Sequence, residues 1–257
     1  MRMIDLNADI GEADNADWAW VEAQIVTSIS SANIACGGHA GDKASMATTV
    51  ANAVASGVAI GAHPAYPDRD NFGRKSLLLG YDIEPEALTE TLTQQINTLI
   101  EIAAEKGGRV RYVKPHGALY NDAVQDREKA DLIAAVVSAI DPSLVFLGGP
   151  NSEMGKAAEA AGLTFVAEGF IDRRYTDGGH LVSRALPRAV IEDQEDRLAQ
   201  AKALATTGEV QTDTGRTLRI NARSLCVHGD SAGAVKTAQA ARAAIESMGV
   251  QIKAFAP

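Results

Sequence analysis

SANIACGGHAGD (31–42), VAIGAHPAYPD (58–68), VRYVKPHGALYN (110–121) and SLCVHGDSAG (224–233) are four short apolar runs that each open into a loop at a histidine. The histidines are His39, His63, His116 and His228, four of the five in the chain. A strand that repeatedly ends in His, followed by Gly, Pro or Asp, predicts a parallel α/β fold whose strand C-termini converge on one polar site. An enzyme is the leading reading of that pattern.

Working outward from these runs, strand-like and helix-like segments alternate. Met3 to Leu6 reads as a strand, Trp18 to Ile29 as a helix, Ser31 to Cys36 as a strand and Asp42 to Ser56 as an alanine-rich helix ended by Gly57. Val58 to Ala62 is the next strand. Pro85 opens a helix with a buried stripe of Leu88, Leu92, Ile96, Leu99, Ile100 and Ala103. Val110 to Val113, Leu144 to Leu147, Thr164 to Ala167 and Leu225 to Val227 are further strands. Helices are predicted over about 126–140, 152–161 and 233–247, with another opening at Pro187. Gln211 and Thr212 are expected to pair with Thr217 to Ile220 in a hairpin turning at Thr214-Gly215. Seven β/α units with no linker or repeat favour a single domain, 1–257, folded as a barrel; an open doubly wound sheet is the alternative.

The length, 257 residues, suits one α/β barrel, and 46% hydrophobic with 22% charged residues is ordinary for a globular protein. The net charge of -9 argues against general nucleic-acid binding and requires local basic residues wherever an anionic substrate binds. No apolar run approaches the roughly 20 residues of a membrane span. The start, MRMIDLNADIGE, places acids where a signal peptide needs an apolar stretch, so a cytoplasmic protein is expected. Cys36 and Cys226 lie in apolar runs and read as buried thiols, with a nucleophilic Cys36 as the lesser alternative.

The chemistry-bearing residues cluster at the strand ends. Asp5, Asn7 and Asp9 alternate along the first strand, so they share one face, where adjacent carboxylates bind a cation or divide acid and base roles. The structural use of the same acids is to cap the turn at Gly11 and to satisfy backbone amides. Asn33 and His39 flank the second strand end, where Asp42 reads as a helix N-cap. His63 is followed by a proline-fixed turn, and Arg74 in the same loop offers a bidentate clamp for a carboxylate or phosphate. Lys114 and His116 place a fixed positive charge beside a titratable base, as a developing oxyanion or a phosphoryl group requires. Tyr120, Glu168, Arg173 and His228 complete the set, with His180 read as incidental and Asp230 or Ser231 as a cap for the last helix. There is no GxxxxGK(S/T), no GxGxxG opening a helix after the first strand, no CxxC and no HExxH. A metal held by Asp and His stays open, its candidate ligands being Asp9, His39 and His63.

At IDLNADIGE, SANIACGGHAGD, GAHPAYPDRDNFGR, VKPHGALYN, EGFIDRRYTDGG and CVHGD the chain resembles the LamB/YcsF family, over Ile4 to Asp230. It departs from the family at Gly38, where an aromatic residue is common, at Ala13-Asp14-Asn15 and at Thr176-Asp177-Gly178. The first departure predicts a roomier pocket near His39. The resemblance implies a distorted seven-stranded (β/α) barrel of the deacetylase-like kind. It implies ATP-dependent cleavage of 5-oxo-L-proline to L-glutamate, with Mg accompanying ATP, by the A component of a 5-oxoprolinase whose partners are subunits B and C. On that basis Asp5, Asp9, His39, His63, Lys114 and His116 are expected to be catalytic. Asn7, Asn33, Arg74, Tyr120, Glu168, Arg173 and His228 are expected to bind substrate. Two other readings use the same strand-end site: a stand-alone metal-dependent deacetylase or amidohydrolase, and a non-catalytic substrate-binding component.

Overall fold

The first strand, β1 (Met3–Ile10), runs four residues further than the apolar pattern predicts, because its polar residues face inward rather than toward solvent. Leu6, Ala8 and Ile10 are fully buried in the layer under the helices, while the side chains of Asp5, Asn7 and Asp9 point into the barrel, bonding to residues of other strands. The computed structural model describes residues 2–184, 186–228 and 233–256. The remaining barrel strands are β2 (Ser31–Ala35), β3 (Ala59–His63), β4 (Val110–Val113), β5 (Val145–Gly148), β6 (Phe165–Phe170) and β9 (Ser224–Cys226). All pair in parallel, each with the next, and β9 returns to β1, so the sheet closes into a seven-stranded barrel. The register between β3 and β4 slips at Ile60/Gly61, a local distortion.

Helices cover the outside. They are α1 (Ala16–Val26), α2 (Lys43–Ala55), α3 (Pro85–Glu105), α4 (Gly117–Gln125), α5 (Arg127–Ile140), α6 (Glu153–Ala160), α7 (Gln194–Thr206) and α8 (Ala234–Glu246). Asp42 caps α2 through a reciprocal capping box with Ser45, as its position predicts. On α3 the buried stripe is Leu88, Leu92, Ile96, Leu99 and Ala103, joined by Ile102 in place of Ile100. The expected hairpin forms as β7 (Glu209–Gln211) against β8 (Thr217–Arg219). A short β10 (Gln251–Ile252), which the sequence pattern does not reveal, pairs with β1 at Met3 and Ile4.

Two expectations need correction. Pro187 opens no helix: it lies in an irregular stretch, and α7 begins only after Asp193, whose carboxylate accepts from the amides of Glu195 and Asp196. The N-capping acid, not the proline, sets the helix start. Conversely, α4 forms directly after His116, where the sequence pattern predicts no helix. Asp126 ends α4 and caps α5, so two helices abut without a loop. The expected caps Asp230 and Ser231 lie outside the described residues.

Gly61 has a steric role in the barrel. A Cβ on Gly61 would clash with the ring of Tyr112, which packs across that position. The Tyr112 hydroxyl thereby reaches Asn33 Oδ1, 2.7 Å away, and closes the polar layer beneath the site.

Candidate active site

A cavity of about 520 Å³ opens over the C-terminal ends of the strands. Its floor holds Asp9, Glu12, His63, Lys114 and His116. Its walls include Arg74, Tyr120, Phe170, Arg173, His180 and His228. Most floor residues follow from the pleat or the turn that carries them. Asp9 is the last inward residue of β1, His63 ends β3, and Pro115 holds Lys114 and His116 at the mouth of β4.

Lys114 is buried among acids. Its Nζ lies 2.8 Å from Asp9 Oδ1, 3.0 Å from Glu168 Oε1 and 3.3 Å from Cys226 Sγ. Burial alone would lower its pKa, but Asp9 leads the groups that hold it well above the usual range, so it stays an ammonium. Burial would likewise raise Asp9, yet His63 and Lys114 hold its carboxyl well below the usual range. Burial raises Glu168 against the pull of Lys114, and Glu168 Oε2 has no hydrogen-bond partner. Lys114 is therefore a fixed positive charge, neither a base nor a nucleophile.

On the other side of Asp9 three imidazoles pack together. His63 Nδ1 lies 2.7 Å from the carbonyl of Lys114, and His116 Nε2 lies 3.0 Å from that of Phe72. Their other nitrogens, His63 Nε2 and His116 Nδ1, are 3.0 Å apart. Asp9 Oδ2 is 3.5 Å from the first and Glu12 Oε1 3.4 Å from the second. His39 stacks face to face on His116, with centroids 3.6 Å apart, and its Nε2 lies 2.8 Å from Glu12 Oε1. Burial, with the neighbouring imidazoles, pushes both His39 and His116 well below the usual histidine range.

The sequence-predicted residues divide by depth. Asp9, His63, Lys114, His116, Arg74, Tyr120, Arg173 and His228 reach the cavity. His39 stands behind Glu12 and His116 and does not line it. Asn7, Asn33 and Glu168 form the layer beneath: Asn7 donates to Glu168, and Asn33 donates to Asn7 and to Asp9. Asp5 lies deeper still, where Ser30, Ser31 and Ser224 all donate to its carboxylate. Burial raises Asp5 to about 6, and no part of it faces the cavity, so the expectation of a catalytic Asp5 is corrected to a group holding the barrel interior.

Other expectations also change. Cys36 is no nucleophile, because its thiol donates to Ile34 O and burial pushes its pKa up to about 12. The pocket near His39 is not enlarged by Gly38. Gln95 fills that space, bonded to both the N–H and the carbonyl of Ala65. His180, read from the sequence as incidental, lies in the cavity wall, with a buried Nδ1 that has no hydrogen-bond partner. Sequence reasoning does not find Glu12, although it ends the stretch IDLNADIGE. It lies beyond the alternating part of β1, past the turn at Gly11, where a period-of-two argument stops.

Arg74 stacks over the Phe72 ring at 4.9 Å. Arg173 donates to the carbonyls of Val182 and Ala189, and burial lowers its pKa to about 10, which leaves it cationic. His228 Nδ1 pairs with Asp172 at 2.7 Å. The site thus sets one buried ammonium, two arginines and a group of imidazoles around a cavity in an acidic protein.

The sequence profile of the LamB/YcsF family matches residues 4–257. The chain belongs to the LamB/YcsF family. It is 43% identical over 254 residues to the A component of 5-oxoprolinase from Shouchella clausii (strain KSM-K16), covering 99% of each chain. It is 44% identical over 256 residues to a 5-oxoprolinase A component of Agrobacterium fabrum, covering 100% of this chain and 99% of that one. The crystal structure of the lactam utilization protein from Thermus thermophilus superposes with a TM-score of 0.89 at 37% identity, over 98% of this chain and 100% of that one. Among the described residues, no helix is long and apolar enough to cross a membrane.

Proposed function

We propose that this LamB/YcsF chain serves as the A component of a multi-subunit 5-oxoprolinase, working with subunits B and C to open 5-oxo-L-proline to L-glutamate with hydrolysis of ATP. The observation that carries the reading is the buried Lys114 ammonium at the cavity floor beside the imidazoles of His63 and His116. The names of the two relatives and of the lactam utilization protein support it.

The lactam is a resonance-stabilised amide, so its carbonyl carbon needs activation before water attacks. Transfer of the ATP γ-phosphoryl group, with Mg, to the lactam oxygen breaks the amide resonance and makes the carbon electrophilic. Water then adds to the carbon, and the ring C–N bond breaks as the nitrogen takes a proton. The product is the mixed anhydride of the glutamate side chain with phosphate, which a second water hydrolyses to glutamate and phosphate. Lys114 steadies the negative charge that builds on the oxygen, in a site where few water dipoles compete. The inward nitrogen of His63 or His116 takes the proton of the attacking water. Arg74 or Arg173 meets the substrate carboxylate.

The test is the purified chain assayed with and without subunits B and C, measuring glutamate and ADP together. Matched release of both, lost in Lys114→Ala and His116→Ala, is expected. Full activity in both variants would overturn the site. Glutamate release by the chain alone without ADP would transfer the reading to a metal-dependent amidohydrolase.

A further inference from the structure

Two groups of potential metal ligands meet at the cavity floor. Asp9, Cys226 and His228 cluster around a cation the chain already supplies, since Lys114 Nζ contacts both Asp9 and Cys226. Glu12, His39, His63 and His116 gather where two imidazole nitrogens meet.

The hydrogen bonds fix which imidazole nitrogens carry protons. A carbonyl only accepts, so His63 Nδ1, facing Lys114 O, must be the N–H, and so must His116 Nε2, facing Phe72 O. In neutral rings, His63 Nε2 and His116 Nδ1 are then bare acceptors, 3.0 Å apart. Carboxylate oxygens of Asp9 and Glu12, which are also acceptors, lie 3.5 and 3.4 Å from them. Two lone pairs at this distance repel one another unless a cation or a proton sits between them. An N–H anchored on a backbone carbonyl, with the opposite nitrogen turned inward, is also how metal-binding histidines are held.

Ring orientation selects the ligands. His63 and His116 are nearly perpendicular, at 88°, so their ring planes intersect, and an ion beside the two nitrogens, about 2 Å from each, can lie in both planes. His39 lies parallel to His116 at 0°, so its lone pair cannot meet the same ion in its own ring plane. It instead contacts Glu12 through Nε2.

We propose that His63 Nε2, His116 Nδ1 and the Glu12 carboxylate bind one divalent ion of the zinc class, with His39 orienting Glu12 and an open coordination position toward the cavity. Two imidazoles and one carboxylate with a free position form the donor set of a Lewis-acid zinc site rather than a structural one. Bound there, the ion would polarise a carbonyl or phosphoryl oxygen entering the cavity, and it would occupy the lone pairs with which His63 and His116 otherwise take a proton, so ion binding and base catalysis by these two rings exclude one another. Glu12 and His116 thus replace two of the sequence's candidate ligands: His39 orients Glu12 and Asp9 serves Lys114. This metal site stands whether or not the chain opens a lactam, because it is read by binding alone.

The experiment strips the full-length chain with a chelator and titrates it with Co²⁺, following the visible absorption, and with Zn²⁺ against a chromophoric competitor. About one equivalent is expected, with four-coordinate Co²⁺ bands. Removing an imidazole ligand in His116→Ala should weaken Zn²⁺ binding at least about 100-fold, and losing the orienting bond in His39→Gln about 10-fold. Glu12→Gln, nearly isosteric, keeps the test valid if the histidine variants misfold, and should also weaken binding. Cys226→Ser should leave the affinity unchanged. A folded wild-type chain that takes up neither ion overturns the proposal and leaves a proton shared by the two imidazoles. Loss of binding in Cys226→Ser overturns it in favour of the Lys114 side.

Discussion

On one side of Asp9, Lys114 sits 2.8 Å from Asp9 and 3.0 Å from Glu168, so a buried cation and buried anions satisfy one another within the chain. On the other side, the imidazole nitrogens of His63 and His116 face each other at 3.0 Å beside carboxylate oxygens, with the opposite N–H of each ring already committed to the backbone. Both clusters are buried polar groups on neighbouring strands. In the first an ammonium stands between the acceptors, whereas in the second two imidazole nitrogens meet with no side-chain cation between them, where the proposed ion would sit. The difference shows that burying polar groups yields either a fixed charge or a binding site, and which one depends on whether a side chain places its own cation between the acceptors.

The largest effect should come from breaking the self-sufficient side. Lys114→Met leaves Asp9 and Glu168 buried without their cation, which costs about 3–5 kcal/mol. Urea unfolding would show it as a lower midpoint, and a loss below about 1 kcal/mol would mean that the two sides do not differ. On the imidazole side, His116→Ala should lower kcat of the assembled enzyme about 10²- to 10⁴-fold while costing less stability than Lys114→Met. The reverse order of stabilities would invert the comparison.

Asp5 sharpens the contrast from below. Its folded-state pKa of about 6 lies above its ordinary value of 3.8, so the folded protein binds this proton more tightly than the unfolded chain. The stability from that proton is complete below about pH 4 and is lost as pH rises to about 6, a change of about 3 kcal/mol at most. Asp5→Asn should remove that loss. The difference between wild-type and variant unfolding free energies, measured from pH 3.5 to 7, should therefore slope only in this window. A flat difference would show that the three serines hold Asp5 ionised throughout. The smallest effect is expected for Gln95→Ala, which unpairs the backbone of Ala65 two residues beyond His63 and costs about 1–2 kcal/mol. It should weaken the imidazole cluster while leaving Lys114 and its acids undisturbed, which urea unfolding and the pH profile of kcat would show together.

Most of the barrel is legible along the chain, because strand ends with histidine and helices with spaced leucines follow from local periodicity. Lys114, His63 and His116 are legible for the same reason, being placed by the strands that end beside them. Glu12 is not, because it lies past a glycine turn where alternation no longer says which way a side chain points. The helix α4 is hidden because Asp126 joins two helices without a loop. Pro187 misleads because proline tolerates a helix start without enforcing one.

The sequence by itself determined the parallel α/β architecture, the polar inner face of β1 and the gathering of histidines at one end, since these depend on residue spacing within single elements. Only the tertiary structure decided that Asp5 lies below the cavity, that Lys114 is neutralised by acids from two other strands, and that the inward nitrogens of two imidazoles meet at 3.0 Å. Those outcomes depend on register and distance between strands far apart in the chain, which closure of the barrel sets and no local pattern encodes.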